Sequence, residues 1–352
     1  MSDCLAAAYP KQGDAYFGAE AWLMRGKAYA EEGYHDLALE AFTQAIVLNP
    51  NNADCYFHRA EWYFWRANKG LCIFEQILTA YEKAIADYTQ VITLAPDNAA
   101  AYVQRGRAYA ETLECEPAIA DYTRAIGLEP DNADVWYYRG KAYWANREND
   151  KALTDYAVAI RLNPCHAPAY EGCGDVYAGQ GILDNEDYYD RALAYYTQAI
   201  NVAFDYHLGL MSIRDLSMPL ILYPEAASFY SSRGLVYSVM GESDKAIEDY
   251  NQAILIAPDA EAYYHRGAEY YYKGDYDTAI EDFNTAIRLD PEHNSAYSFR
   301  GRVYYEQGYE AAAIQDCAKA LIIYPYDSFA KENLDMVWAK HRAVHGEDLL
   351  NE

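Results

Sequence analysis

Cys165, His166 and Cys173 place two thiols and an imidazole close together in the chain, donors of the kind that hold zinc. A structural zinc site takes four such ligands, and no second pair follows at the required spacing, so no metal is expected there. The 8 histidines are dispersed and include no HExxH pair. The sequence has no GxSxG elbow, no phosphate loop of the GxxxxGK type and no glycine-rich fingerprint opening a helix after a strand. Neighbouring carboxylates are frequent, as they must be on the solvated faces of so acidic a chain. No catalytic residue, cofactor or metal is therefore predicted, and the protein is not expected to be an enzyme.

A second set of charged residues recurs with a fixed period. Arginine stands at 25, 59, 105, 139, 233, 266 and 300, each time just before a glycine or alanine. Aspartate stands at 87, 121, 155, 249, 282 and 316, each time just before a tyrosine, phenylalanine or cysteine. A guanidinium offers a planar fork to a carboxylate, so these positions predict an Arg–Asp pair bridging two helices of one unit. Pairing with the neighbouring unit is the alternative. One unit departs from the pattern, with Cys173 and Tyr195 in the two slots, and another has Arg25 without its Asp.

The elements that position these groups are clearest at residues 133–166. Trp136, Gly140 and Tyr143 fall at i, i+4 and i+7 and share one face of a helix. Ala152, Tyr156 and Ala159 do the same on a second helix, Asn146 to Asp150 supply the turn, and Pro164 closes the unit. Gly and Ala remove bulk where two helices cross, while the aromatic slots fill the space beside them. This aromatic–Gly–Tyr, Ala–Tyr–Ala, Pro unit resembles a tetratricopeptide repeat, and rewritten copies of it occupy most of the chain.

The resemblance implies an all-α fold, a right-handed superhelical α-solenoid of about eight helix-turn-helix units with a C-terminal capping helix. Residues 1–18 are read as a lead-in and 19–204 as units one to five, with insertions near 64–83 and 182–190. Residues 205–226 form an apolar insertion, 227–327 carry units six to eight, and 328–352 hold the capping helix and tail. The resemblance also implies that the first helix of each unit lines a concave groove that binds a peptide, helix or protein partner. The lining slots lie one, four, eight and eleven residues after the start of each unit. They single out Arg107, Tyr137, Lys141 and Trp144 as one cation-plus-aromatic cluster, and Tyr264, Tyr271, Arg302 and Tyr305 as a second. The lysine and asparagine set by which chaperone adaptors of this family grip a terminal carboxylate is missing from these slots, so that activity is not carried over.

The insertion at 205–226 crowds Leu210, Met211, Ile213, Met218 and Leu220 between Gly209 and Pro224. It is read as edge packing, as a lid, or as a second interface through which the chain would self-associate into a larger assembly. Across its 352 residues the protein has 28 Lys and Arg against 54 Asp and Glu, a formal net charge of −26. Such a field repels phosphate backbones and anionic membranes, so neither nucleic acid nor a membrane is expected as partner. An odd count of 7 scattered cysteines suits reduced thiols and a cytoplasmic location. No signal peptide and no bilayer-spanning apolar run is visible. The sequence thus predicts a protein-binding scaffold or adaptor, with a homo-oligomer not predicted.

Overall fold

The computed structural model describes residues 18–68, 74–183, 187–210 and 224–345. Seventeen α-helices run through them, and no strand occurs among them. The chain divides into two compact units, Met1–Pro164 and Cys165–Glu352. In the first, four hairpins follow one another: α1 (Ala19–Glu31) with α2 (His35–Leu48), α3 (Ala53–Asn68) with α4 (Phe74–Leu94), α5 (Ala99–Glu111) with α6 (Cys115–Leu128), and α7 (Ala133–Ala145) with α8 (Asn149–Leu162). In the second, α9 (Ala167–Leu183) pairs with α10 (Asp187–Leu210), α11 (Ala226–Val239) with α12 (Ser243–Ile256), α13 (Ala260–Tyr272) with α14 (Tyr276–Leu289), and α15 (Asn294–Gln307) with α16 (Glu310–Ile323). A further helix, α17 (Ser328–His345), packs on α15 and α16.

The helices start and stop where local chemistry dictates. Asn98, Asp259 and Asp327 accept the backbone N–H three residues on and so cap α5, α13 and α17. The turn inside a hairpin needs one left-handed residue, which Gly33, Gly241, Gly274 and Gly308 supply. In the third and fourth hairpins Leu113 and Arg147 hold the same conformation at φ 61°, a strained choice for residues with a Cβ.

Seven of the eight hairpins close on one buried ring, Tyr196 in the fifth, and Cys317 takes that place in the eighth. The Ala slots of the second helices are fully buried, and between them lie Phe42, Tyr88, Tyr122, Tyr156, Tyr250 and Phe283, none more than 2% exposed. Gly140 shows why a small residue faces the ring: a Cβ there would sit 2.6 Å from Tyr156 Cε1. The next hairpin then lays an aromatic side chain on the same ring. Phe42 meets His58, Tyr122 meets Tyr138, Tyr250 meets His265 and Phe283 meets Phe299, with centroids 5.7–6.0 Å apart. Each hairpin is too thin to bury its own seam, and its neighbour supplies the missing cover.

The Arg–Asp pairs form inside the hairpins. Arg139 donates from Nε and Nη2 to the two carboxylate oxygens of Asp155 at 2.7 and 2.9 Å. Arg59–Asp87, Arg105–Asp121, Arg233–Asp249, Arg266–Asp282 and Arg300–Asp316 repeat the fork. The neighbouring hairpin contributes as well. The remaining Nη1 donates back to the preceding second helix, from Arg59 to Thr43, Arg105 to Thr89, Arg139 to Thr123, Arg233 to Thr197, Arg266 to Asn251 and Arg300 to Asn284. The guanidinium of Arg139 also lies 4.8 Å from the Trp136 ring on its own helix, and its sisters sit over tyrosines in the same way. In the fifth hairpin, where the sequence has neither residue, Cys173 is buried and Tyr195 stacks on Tyr177 at 5.5 Å.

Two outcomes follow from this packing. Arg139→Ala strands the carboxylate of Asp155, whose side chain is 4% exposed, and should cost about 3 kcal/mol in urea unfolding. The double variant Arg139→Met/Asp155→Leu should recover much of that loss. Leu113→Gly should instead raise stability by about 0.5–1 kcal/mol, because it relieves a left-handed backbone at an exposed side chain. A lower melting temperature for that variant would contradict the strain.

Candidate partner-binding site

Within each unit, successive first helices touch one another: α1 with α3, α3 with α5 and α5 with α7, then α9 with α11, α11 with α13 and α13 with α15. Successive second helices make no such contact among the described residues. The first helices therefore form the inner row of each unit, and this row carries the slots singled out by the sequence.

In the first unit the row is partly committed and partly free. Tyr137 is half-buried and lies against the rings of Tyr138 and Tyr156, with centroids 5.5 and 5.9 Å away. Arg107 is half-buried too. Its guanidinium lies 5.1 Å from the Phe64 ring and 5.3 Å from the Tyr138 ring, and Nη1 donates to Gln104 at 3.1 Å. Lys141 is exposed and has no carboxylate partner among the described residues. Trp144, three residues further along the same face of α7, is 41% exposed. Arg107 thus meets Tyr138 rather than Tyr137 or Trp144.

In the second unit Tyr264 and Tyr271 both converge on Phe299, at 5.4 and 6.1 Å. Tyr264 packs on the core formed by Phe283 and its neighbours, and burial pushes its hydroxyl up to about 12. Arg302 donates from Nε to Glu306 at 3.0 Å and from Nη1 to Asn333 of α17 at 3.3 Å, and lies 5.8 Å from the Tyr305 ring. Lys340 of α17 covers Tyr305 at 5.0 Å. This cluster joins α13, α15 and α17. Its hub, Phe299, escaped the slot rule; the signal was the aromatic or histidine five residues into a unit, as at His58, Tyr138 and His265.

The cysteine–histidine grouping is taken apart by the fold. Cys165 is exposed, Cys173 is buried with its thiol pushed up to about 12, and His166 accepts the Ala169 N–H through Nδ1. Among the described residues no group of three His, Cys, Asp or Glu side chains could hold a metal ion. No described helix is long and apolar enough to cross a membrane. Of the second interface, Met211, Ile213, Met218 and Leu220 lie outside the described residues, as does the side chain of Leu210.

Paired helices, a shared buried ring and an inner row of first helices define a helical repeat protein. Models described as tetratricopeptide repeat match residues 19–52, 133–164, 227–259 and 264–328, and one described as TPR repeat matches 114–146. The chain belongs to the tetratricopeptide repeat family. Two solved structures share the fold, and a third is similar over half of the chain. A tetratricopeptide repeat protein from Parabacteroides merdae is 19% identical, with 79% of this chain and 98% of that one covered and a TM-score of 0.50. The pilF protein of Pseudomonas aeruginosa is 16% identical, with coverage of 69% and 97% and a TM-score of 0.54. A crystal structure of MamA is 27% identical over 50% of this chain and 93% of that chain, at a TM-score of 0.43. No curated protein matches the sequence. Tetratricopeptide repeat proteins are generally protein-interaction scaffolds.

The two clusters should separate in a stability measurement. Tyr264→Ala removes a ring packed on the core and should cost about 3 kcal/mol. Trp144→Ala should stay within about 0.5 kcal/mol of the parent, since its ring is exposed. Chemical denaturation of the two variants side by side checks both.

Proposed function

We propose that the protein is a non-catalytic adaptor that holds a peptide, helix or protein partner against the inner row of its first helices. The observation that carries this reading is the free end of α7. An indole and an ammonium with no carboxylate partner among the described residues share one face there. Rigid aromatics beside a cation are the usual anchors of protein interfaces. Within the first unit the half-buried Arg107 and Tyr137 shape the surface beside these anchors, and within the second the half-buried Tyr264, Tyr271, Arg302 and Tyr305 line its own row. The cytoplasm is the compartment this reading assigns, in keeping with the free cysteines among the described residues.

The test is affinity capture from native lysate with the parent, Lys141→Glu and Trp144→Ala in parallel. Both variants should lose the captured partner while their melting temperatures stay at the parent value. An unchanged capture profile for both would overturn the assignment of the α7 face.

A further inference from the structure

The inner row of the first unit holds basic charge that the fold does not neutralise. Six arginines of the chain give their forks to aspartates, and Arg302 is held by Glu306. Arg107 has no carboxylate within ion-pair distance among the described residues; its recorded partners are two rings and an amide oxygen. The nearby Glu61 is already engaged, with Oε2 2.8 Å from His58 Nδ1. The charges of Glu111 and Arg107 both act on Tyr81, in opposite directions. Lys27 and Lys141 occupy the same slot as Arg107 in the first and fourth hairpins, and neither meets a carboxylate among the described residues. A second anomaly lies beneath this row. Among the described residues the Tyr88 hydroxyl is buried with no hydrogen-bond partner, a state it shares with Tyr250 of the second unit, and the charges acting on Tyr88 include those of Glu61 and Arg107. A buried hydroxyl left unpaired costs stability unless a ligand completes it.

We infer that this row docks an acidic segment of the partner, with side-chain carboxylates on Arg107 and Lys141. The inference rests on the adaptor reading and names the chemistry of what is bound. Two rings hold the Arg107 guanidinium in place before any ligand arrives, so a carboxylate meets an ordered donor. Desolvation against Phe64, which is 8% exposed, strengthens the contact relative to one in open water. The protein's net charge of −26 does not forbid it. Charges more than about 8 Å away are largely screened at physiological salt, whereas Arg107 and Lys141 act at contact. Arg107 and Lys141 stand on adjacent first helices, roughly 10 Å apart. In a polyproline II peptide, with three residues per turn and a rise of about 3.1 Å, that separation equals about three residues along one face. The preferred segment therefore carries acids three positions apart, with an apolar or aromatic residue placed to reach Trp144.

The experiment uses the full chain and short fluorescent peptides, acetylated and amidated, with Glu at every third position of a serine–tyrosine background. A matched peptide carries Gln in those positions. The Glu peptide should bind more tightly than the Gln peptide, and high salt should weaken it. Arg107→Met keeps a side chain between the rings and should weaken binding roughly tenfold or more, as loss of a hydrogen bond to a charged group does. Lys141→Met, at an exposed site, gives the same direction should the first variant fold poorly, and Arg161→Met, exposed on the second helix of the fourth hairpin and off the inner row, should leave affinity unchanged. Equal affinity for the Glu and Gln peptides overturns the proposal, as does binding that appears only with a free C-terminal carboxylate. Sedimentation showing self-association that Arg107→Met abolishes would assign the row to a second copy and also overturn it. Loss of lysate capture in Trp144→Ala alongside equal peptide affinities would leave the adaptor reading standing while removing this one.

Discussion

The interaction on which the array depends is a guanidinium that reaches three ways at once. Its Nε and one terminal nitrogen grip the Asp of the same hairpin, its other terminal nitrogen holds a Thr or Asn of the hairpin before, and its face lies over rings of its own helix. An Ala-lined crossing is smooth, and smooth surfaces can slide by a turn at little cost in buried area. A bidentate fork cannot slide. It requires the carboxylate at one height and one rotation, so it fixes the register of the helix pair. The third nitrogen carries that register to the next hairpin. Replacing such a pair by well-packed apolar residues can be neutral in stability, which fits a role in alignment more than in cohesion.

Much of this was legible in the sequence, because a solenoid writes each constraint several times. The recurrence of Arg and Asp at fixed slots predicted the pairs and left open whether they closed within a hairpin or between neighbours; the structure uses the same arginine for both. The third partner escaped notice because it alternates between Thr and Asn, which share only a side-chain oxygen. The ring-on-ring seam escaped for a similar reason. Its slot is filled by His58, Tyr138, His265 or Phe299, and a period in flat aromatic shape is hidden when the letters change. The fifth hairpin is instructive in the other direction. Cys173 replaces the Arg and Tyr195 the Asp, while the slot that elsewhere offers Thr or Asn in the preceding hairpin holds Ala157. All three members of the contact are lost together, as expected of groups that are costly to bury singly.

The lining slots were less legible. Position within a repeat identifies which residues face the inner row, but a face does not reveal what else is packed on it. Tyr264 points toward the row and yet packs on Phe283 and Phe299, and Arg302 is held by Glu306, Asn333 and Met336. Phe283, Phe299, Asn333 and Met336 come from α14, α15 and α17, elements that no local spacing rule connects to these slots, whereas Glu306 is an i,i+4 neighbour of Arg302 on the same helix. Trp144 and Lys141 are exposed for a simpler reason: no described helix supplies a side chain to cover them.

The fold is therefore encoded in one set of slots of the repeat, and another set is left free of its demands. The core asks for Gly, Ala, a ring, an Arg and an Asp, and those positions vary little from hairpin to hairpin. The slots eight residues into the first helices are under no such demand, and in the first unit they read Lys27, Glu61, Arg107 and Lys141, whereas in the second they read Asp175, Leu235, Ala268 and Arg302. A scaffold whose register is set by the Arg–Asp forks can change these side chains without changing its backbone. The two units thus present inner rows of different charge on the same architecture, and charge at such slots is the kind of difference by which one scaffold can favour one partner over another.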